Sequence, residues 1–172
     1  IRDRLVTGVQ TCALPISPTG QGFDLNVGGT SYGGPPSFFS PYRNAELPDG
    51  PKGEYLPDRL VDETIRFTEA NKDRPWMAHL WFYTVHWPMQ APEGLLRKYA
   101  DRKGPGLNDT RYGAMIEARD LAIGRLLKAL EKMNADKDTL VIFKIEKAAS
   151  REMVINPAVG LTLTKKTHYL SL

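Results

Sequence analysis

Residues 76–85 read WMAHLWFYTV, a nearly continuous apolar and aromatic run with Pro75 before it and Pro88 shortly after. Ten residues are too few for a membrane span, and the prolines block extension at either end. A run of this kind reads as a strand buried on both faces, as in the middle of a parallel sheet. C-terminal to it, Pro88, Pro92 and Gly94 break the chain, Leu95, Leu96 and Tyr99 suggest a short helix, and 101–109 is a polar Gly/Pro turn. Tyr112, Met115, Ile116, Ile123, Leu126, Leu127, Leu130 and Met133 then recur at spacings of three and four, which predicts a helix from Thr110 to Met133. Asn108 or Asp109 can cap it. Thr139–Phe143 (TLVIF) is expected to be a short buried strand. Strand, crossover helix and strand make a parallel β-α-β unit, so the fold class is α/β. Chemistry in such sheets gathers beyond the carboxyl ends of the strands. His86 stands there, directly after the first strand.

N-terminal to the run, a helix is expected from Arg59 to about Asn71, capped by Asp58, with Leu60, Val61, Ile65 and Phe67 giving an imperfect apolar face. Residues 18–57 are rich in Gly, Pro, Ser and aromatics and read mostly as loop. Phe23, Tyr32, Phe38, Phe39, Tyr42 and Tyr55 are available to pin that loop to a core.

The chain has 172 residues, 41% hydrophobic and 25% charged, which suits a packed domain or a piece of one. No apolar run is long enough to span a membrane. The net charge is +3, but residues 18–143 carry 16 Lys+Arg against 17 Asp+Glu. The basicity belongs to the ends, and a nucleic-acid partner is not expected. Both ends differ from the middle. Residues 1–16, IRDRLVTGVQTCALPI, resemble a translated sequencing adapter and are set aside from the fold, together with Cys12, the single cysteine. As a signal peptide the segment fails, because Gly8, Gln10, Thr11 and Pro15 interrupt any apolar core. Residues 144–172 form an unassigned tail with weak periodicity and a candidate strand around Val159–Leu163. The expected organisation is therefore 1–16 adapter-derived, 17–143 a piece of an α/β domain and 144–172 tail.

The segments GFD (22–24), NVGG (26–29), GPPSFFSPY (34–42), GPKGEYLPDRLVDETIRF (50–67), NKDRPW (71–76), FYTVHWPMQAP (82–92), YGAMIEARD (112–120), IGRLLKAL (123–130) and DTLVIF (138–143), in this order, resemble the middle of a type I sulfatase. That family belongs to the alkaline-phosphatase-like superfamily. The strand ending in V-H-x-P is the strongest element of the likeness. The resemblance implies a partial alkaline-phosphatase-like fold and hydrolysis of sulfate esters of small molecules or glycans. It also implies a calcium ion and a formylglycine nucleophile in the intact family, and a periplasmic or secreted setting. By position, His86 is the histidine that protonates or hydrogen-bonds the leaving ester oxygen. An imidazole titrating near neutrality suits that task. The family's C-x-P-S-R motif, its early Asp pair, its Lys-Trp-His-Leu-Gly stretch and the Thr-Ser-Asp-Asn-Gly after the last strand are not matched. Phe143 is instead followed by KIEK, so the resemblance implies that 17–143 is a catalytic-domain piece and that a frame shift near residue 144 is the expected origin of the tail. The expectation is an internal fragment that keeps one catalytic residue, supplies no metal ligand or cofactor itself, and is inactive as an isolated chain. A phosphomonoester or phosphonate hydrolase of the same superfamily, or a non-catalytic binding relative, is the alternative.

Other candidates carry blander readings. His86 itself is equally a hydrogen-bonded histidine at a strand end. His79 lies seven residues earlier on the opposite face and reads as a packed histidine. Asp120 lacks a partner at helical spacing apart from Glu117 and reads as a capping or packing residue rather than a metal ligand. His168 falls in the tail. Neither Gly28-Gly29 nor Gly33-Gly34 forms a phosphate-loop pattern.

Overall fold

The computed structural model describes residues 3–9, 17–102, 104, 109–146 and 158–165. Five strands, β1 (Asp3–Val9), β2 (Leu25–Thr30), β3 (Trp76–Phe82), β4 (Thr139–Glu146) and β5 (Ala158–Lys165), form one sheet in the order β2-β1-β3-β5-β4. β1 pairs in parallel with β2 and with β3, while β5 runs antiparallel to both β3 and β4. β3 and β4 therefore point the same way, as the β-α-β reading expects, but β5 lies between them. Helices α1 (Leu56–Ala70), α2 (Glu93–Tyr99) and α3 (Thr110–Lys132) complete the mixed α/β unit.

Burial along β3 alternates. Trp76, Ala78, Leu80 and Phe82 are buried and Met77, His79 and Trp81 are half-buried. The strand is therefore fully covered on one face only, a correction to the two-faced expectation. The buried face joins the core with Leu60, Val61 and Phe67 of α1 and Met115, Ala118, Ala122, Leu126 and Leu130 of α3. Phe67 meets Trp76 edge-on at 6.3 Å. α1 and α3 pack on each other. Arg125 ties them polarly, donating to Asp62 at 2.5 Å and to Asp58 at 3.2 Å.

α1 starts three residues before the expected Arg59, with Tyr55 at the cap position and Pro57 in the first turn. A proline there gives up no needed hydrogen bond and presets the helical φ. Asp58 is thus a first-turn acid rather than a cap. α3 agrees with its periodicity: Asp109 is its N-cap and accepts from the Arg111 amide at 2.9 Å.

The remaining differences concern short strands. Asp3–Val9, set aside on sequence, is the strand between β2 and β3, with Leu5 and Thr7 fully buried. Leu25–Thr30, read as loop, is an edge strand. The candidate strand in the tail is β5, where Leu161 and Leu163 are buried. β4 is not buried. Leu140, Ile142 and Phe143 are about half exposed and Val141 is 36% exposed, because β4 is the other edge of the sheet. Cys12 and His168 lie outside the described residues.

Candidate active site at the carboxyl end of strand β3

β1, β2 and β3 are parallel, so their carboxyl ends share one edge of the sheet, where open α/β sheets bind ligands. At that edge the chain leaves β3 through Tyr83, Thr84 and Val85, all buried, and turns so that the His86 amide donates to the Tyr83 carbonyl at 2.8 Å. The turn is fixed from several sides. The Tyr83 hydroxyl donates to the Gly28 carbonyl at 2.8 Å, lies 2.9 Å from Thr30 Oγ1, and accepts from the Thr30 amide at 3.2 Å. This joins the end of β3 to the end of β2. Beyond the turn, Gln90 Oε1 accepts from the Phe38 amide at 2.8 Å, and the Gln90 carbonyl accepts from the Tyr55 hydroxyl at 3.0 Å. Phe38, Tyr42 and Tyr55 are buried and do pin the long loop, whereas Tyr32 is exposed. Gly34 leaves no room for a side chain: a Cβ there would lie 2.3 Å from the Trp87 carbonyl oxygen.

His86 is half-buried, and its Nε2 is buried without a hydrogen-bond partner. Burial holds its imidazole below the ordinary histidine range, so the ring is neutral at neutral pH. A buried ring nitrogen with no partner is a costly arrangement in a folded chain and is suited to meeting a ligand atom. His79 contrasts with it. Its ring packs edge-on against Phe23 at 5.2 Å within β3, and burial lowers it too. Asp120 is exposed on α3 and caps nothing, since that role falls to Asp109. Gly28 lies within β2 at φ +72°, where the register with β1 shifts, and its amide is bonded to the Glu46 carbonyl rather than open to a phosphate.

Arg119 escaped the sequence reading. It is 9% exposed, and burial lowers its pKa although Tyr112, Asp120 and Tyr55 raise it. Its Nη1 reaches the Thr84 carbonyl at 3.4 Å, and Thr84 Oγ1 is itself buried without a partner. The one sequence signal was a charged residue amid the Met115, Ala118, Ala122 and Leu126 stripe of α3. Among the described residues no group of three or more His, Cys, Asp or Glu is placed to hold a metal ion. The described side chains therefore do not make a site for the calcium that the resemblance implies.

Comparison with known proteins decides the family. The family model described as Sulfatase matches residues 9–144. The chain belongs to the sulfatase family. Mouse steryl-sulfatase is 34% identical over 97 residues, covering 56% of this chain and 14% of that protein. The uncharacterized sulfatase YdeN of Escherichia coli K12 is 29% identical over 138 residues, covering 77% and 24%. The chain thus spans a quarter or less of these sulfatase relatives. The crystal structure of Ps i-CgsB in complex with k-i-k-neocarrahexaose superposes with a TM-score of 0.58 at 18% identity, covering 97% of this chain and 45% of that one. That likeness supports the partial alkaline-phosphatase-like fold. No described helix is long and apolar enough to cross a membrane.

Proposed function

We propose that the protein to which this segment belongs hydrolyses sulfate esters, and that His86 acts at the bridging ester oxygen. Family membership supports the reaction class. The observation that carries the assignment of His86 is its buried, partnerless Nε2 at the carboxyl end of β3. When the S–O bond breaks, negative charge gathers on the leaving oxygen. An N–H aimed at that oxygen is worth most when the charge is largest, so it lowers the barrier instead of merely holding substrate. The neutral imidazole can donate from one ring nitrogen. An approaching sulfate monoanion raises its proton affinity and favours the protonated form needed for full transfer. The clamp of Tyr83, Gly34 and Gln90 holds the ring's backbone at the sheet edge, which is the positioning such a step requires.

Calcium and formylglycine remain family expectations for the full-length protein, where they would supply a charge clamp on the sulfuryl oxygens and the nucleophile from outside the described residues. Sulfated small molecules or glycans are the substrate class, and the named ligand of the structural neighbour is an oligosaccharide. The reading is tested by incubating the full-length protein containing this segment with matched sulfate and phosphate monoesters. Release of sulfate in clear preference to phosphate is expected. Preferential phosphate release would move it to the phosphomonoesterase alternative, and release of neither would leave a binding protein.

A further inference from the structure

Directly after His86 stands Trp87, the exception among the three tryptophans. Trp76 is 1% exposed and Trp81 half-buried, yet Trp87 is 62% exposed. Leaving most of an indole in water forfeits the burial that usually places tryptophan inside. The exposure does not come from a loose backbone. The Trp87 carbonyl packs on Gly34, the preceding amide is bonded to Tyr83, and Gln90 is bonded to both Phe38 and Tyr55. A guanidinium backs the ring: Arg111 lies 5.5 Å from its centroid, within cation–π range. Arg111 is itself held by Asp109 through Nε and Nη2, at 3.0 and 2.6 Å, which leaves the Nη1 donors uncommitted to that pair.

We propose that Trp87, backed by Arg111 and adjoining His86, is a stacking platform for a sugar ring of a sulfated glycan. The inference rests on the sulfate-ester reading of the His86 site and names its substrate class. Consecutive Cα atoms stand about 3.8 Å apart, so a ring on Trp87 belongs to the sugar bearing the ester at His86 or to its neighbour. The C–H face of a pyranose is apolar and its rim is polar. It suits the free face of an indole whose other face is covered by a guanidinium. An aryl or sterol group would instead call for a concave apolar enclosure. A sulfate on an adjacent sugar would find the Nη1 donors of Arg111.

The test follows the Trp87 indole N–H by NMR in the 172-residue chain, titrated with a sulfated galactan hexasaccharide and its desulfated counterpart. A saturable shift with the sulfated probe is expected. Trp87→Ala, read on the His86 ring resonances, should weaken binding roughly tenfold, the upper range for one aromatic contact, while Trp87→Phe stays close to the parent. Equal affinity in Trp87→Ala and the parent chain, or no shift at Trp87 at all, overturns the platform. If Trp87→Ala weakens both probes and the desulfated one binds as tightly as the sulfated one, the sugar platform stands and the sulfate-ester reading of the site fails. Because Trp87 is exposed, its replacement should leave the melting temperature unchanged, and a large drop shows that the ring is structural and also overturns the proposal.

Discussion

His86 and His79 are both held below the ordinary histidine value of 6.5 by burial. The unfolded chain therefore binds more protons than the folded one as pH falls through that value, and stability falls with it. The melting temperature should fall as pH drops below 6.5 and through the lower folded-state values of the two rings. In a His79→Gln/His86→Gln variant the slope in that window should flatten. Asp109, kept low chiefly by its bonds from Arg111, loses its contribution only at more acid pH and does not confuse the reading. An unchanged slope in the double variant would remove burial as the cause. Tyr83 offers a second residue-scale test. Phenylalanine in its place leaves the Gly28 carbonyl without the hydroxyl proton and frees the Thr30 amide, at a cost of about 1–3 kcal/mol measured by denaturant unfolding. A loss near zero would mean that Asn44, which also donates to Gly28, suffices to hold that junction. At this scale the place of His86 just beyond β3 was legible because it follows an unmistakable apolar run. Arg119 was not, because sequence alone does not say that a helix turns a charged residue inward, and Trp87 passed as one more aromatic beside the histidine.

At the scale of elements, α3 was readable because its apolar positions repeat over many turns. Leu126 is fully buried in that stripe, and Leu126→Ala should cost about 2–5 kcal/mol by chemical unfolding, whereas exposed Leu121→Ala should cost little. Comparable losses at the two positions would contradict the packing of α3 against α1 and β3. The start of α1 was misplaced because aspartate is a good cap and Leu56 and Pro57 close a Gly/Pro-rich stretch read as loop, while the first helical turn tolerates proline. β2 was missed because it has six residues, two of them glycines, so alternation had little length in which to show, whereas β1 was missed because its segment had been set aside. β4 illustrates a further limit. TLVIF is as apolar as a buried strand, yet its place at the sheet edge leaves it in water, and edge position is a property of topology rather than of local pattern.

Taken whole, the described residues form one sheet whose strand β3 is fully covered on one face and whose edge strand β4 is apolar and exposed. Among the described residues no strand pairs with the outer edge of β4, and with exposed Leu140, Ile142 and Phe143 that edge is a template for association. Phe143→Lys should reduce sedimentation-detected self-association without lowering the melting temperature, and unaltered association would locate the sticky surface elsewhere. The same architecture brings the parallel strand ends together and sets His86 at their edge, held by contacts from β2, the aromatic loop and α3. The central claim is that this imidazole acts on the leaving oxygen of a sulfate ester. The most direct measurement is kcat and KM for His86→Ala in a full-length sulfatase carrying this segment, on a sugar or alkyl sulfate and on nitrophenyl sulfate. A general acid of this kind is worth about 10²–10⁴ in rate. Most of that loss should fall on kcat for the poor leaving group, with KM little changed, and far less on nitrophenolate, which needs little protonation. Equal losses on both substrates, or a loss carried by KM alone, would make His86 a sulfate-binding residue and contradict the account.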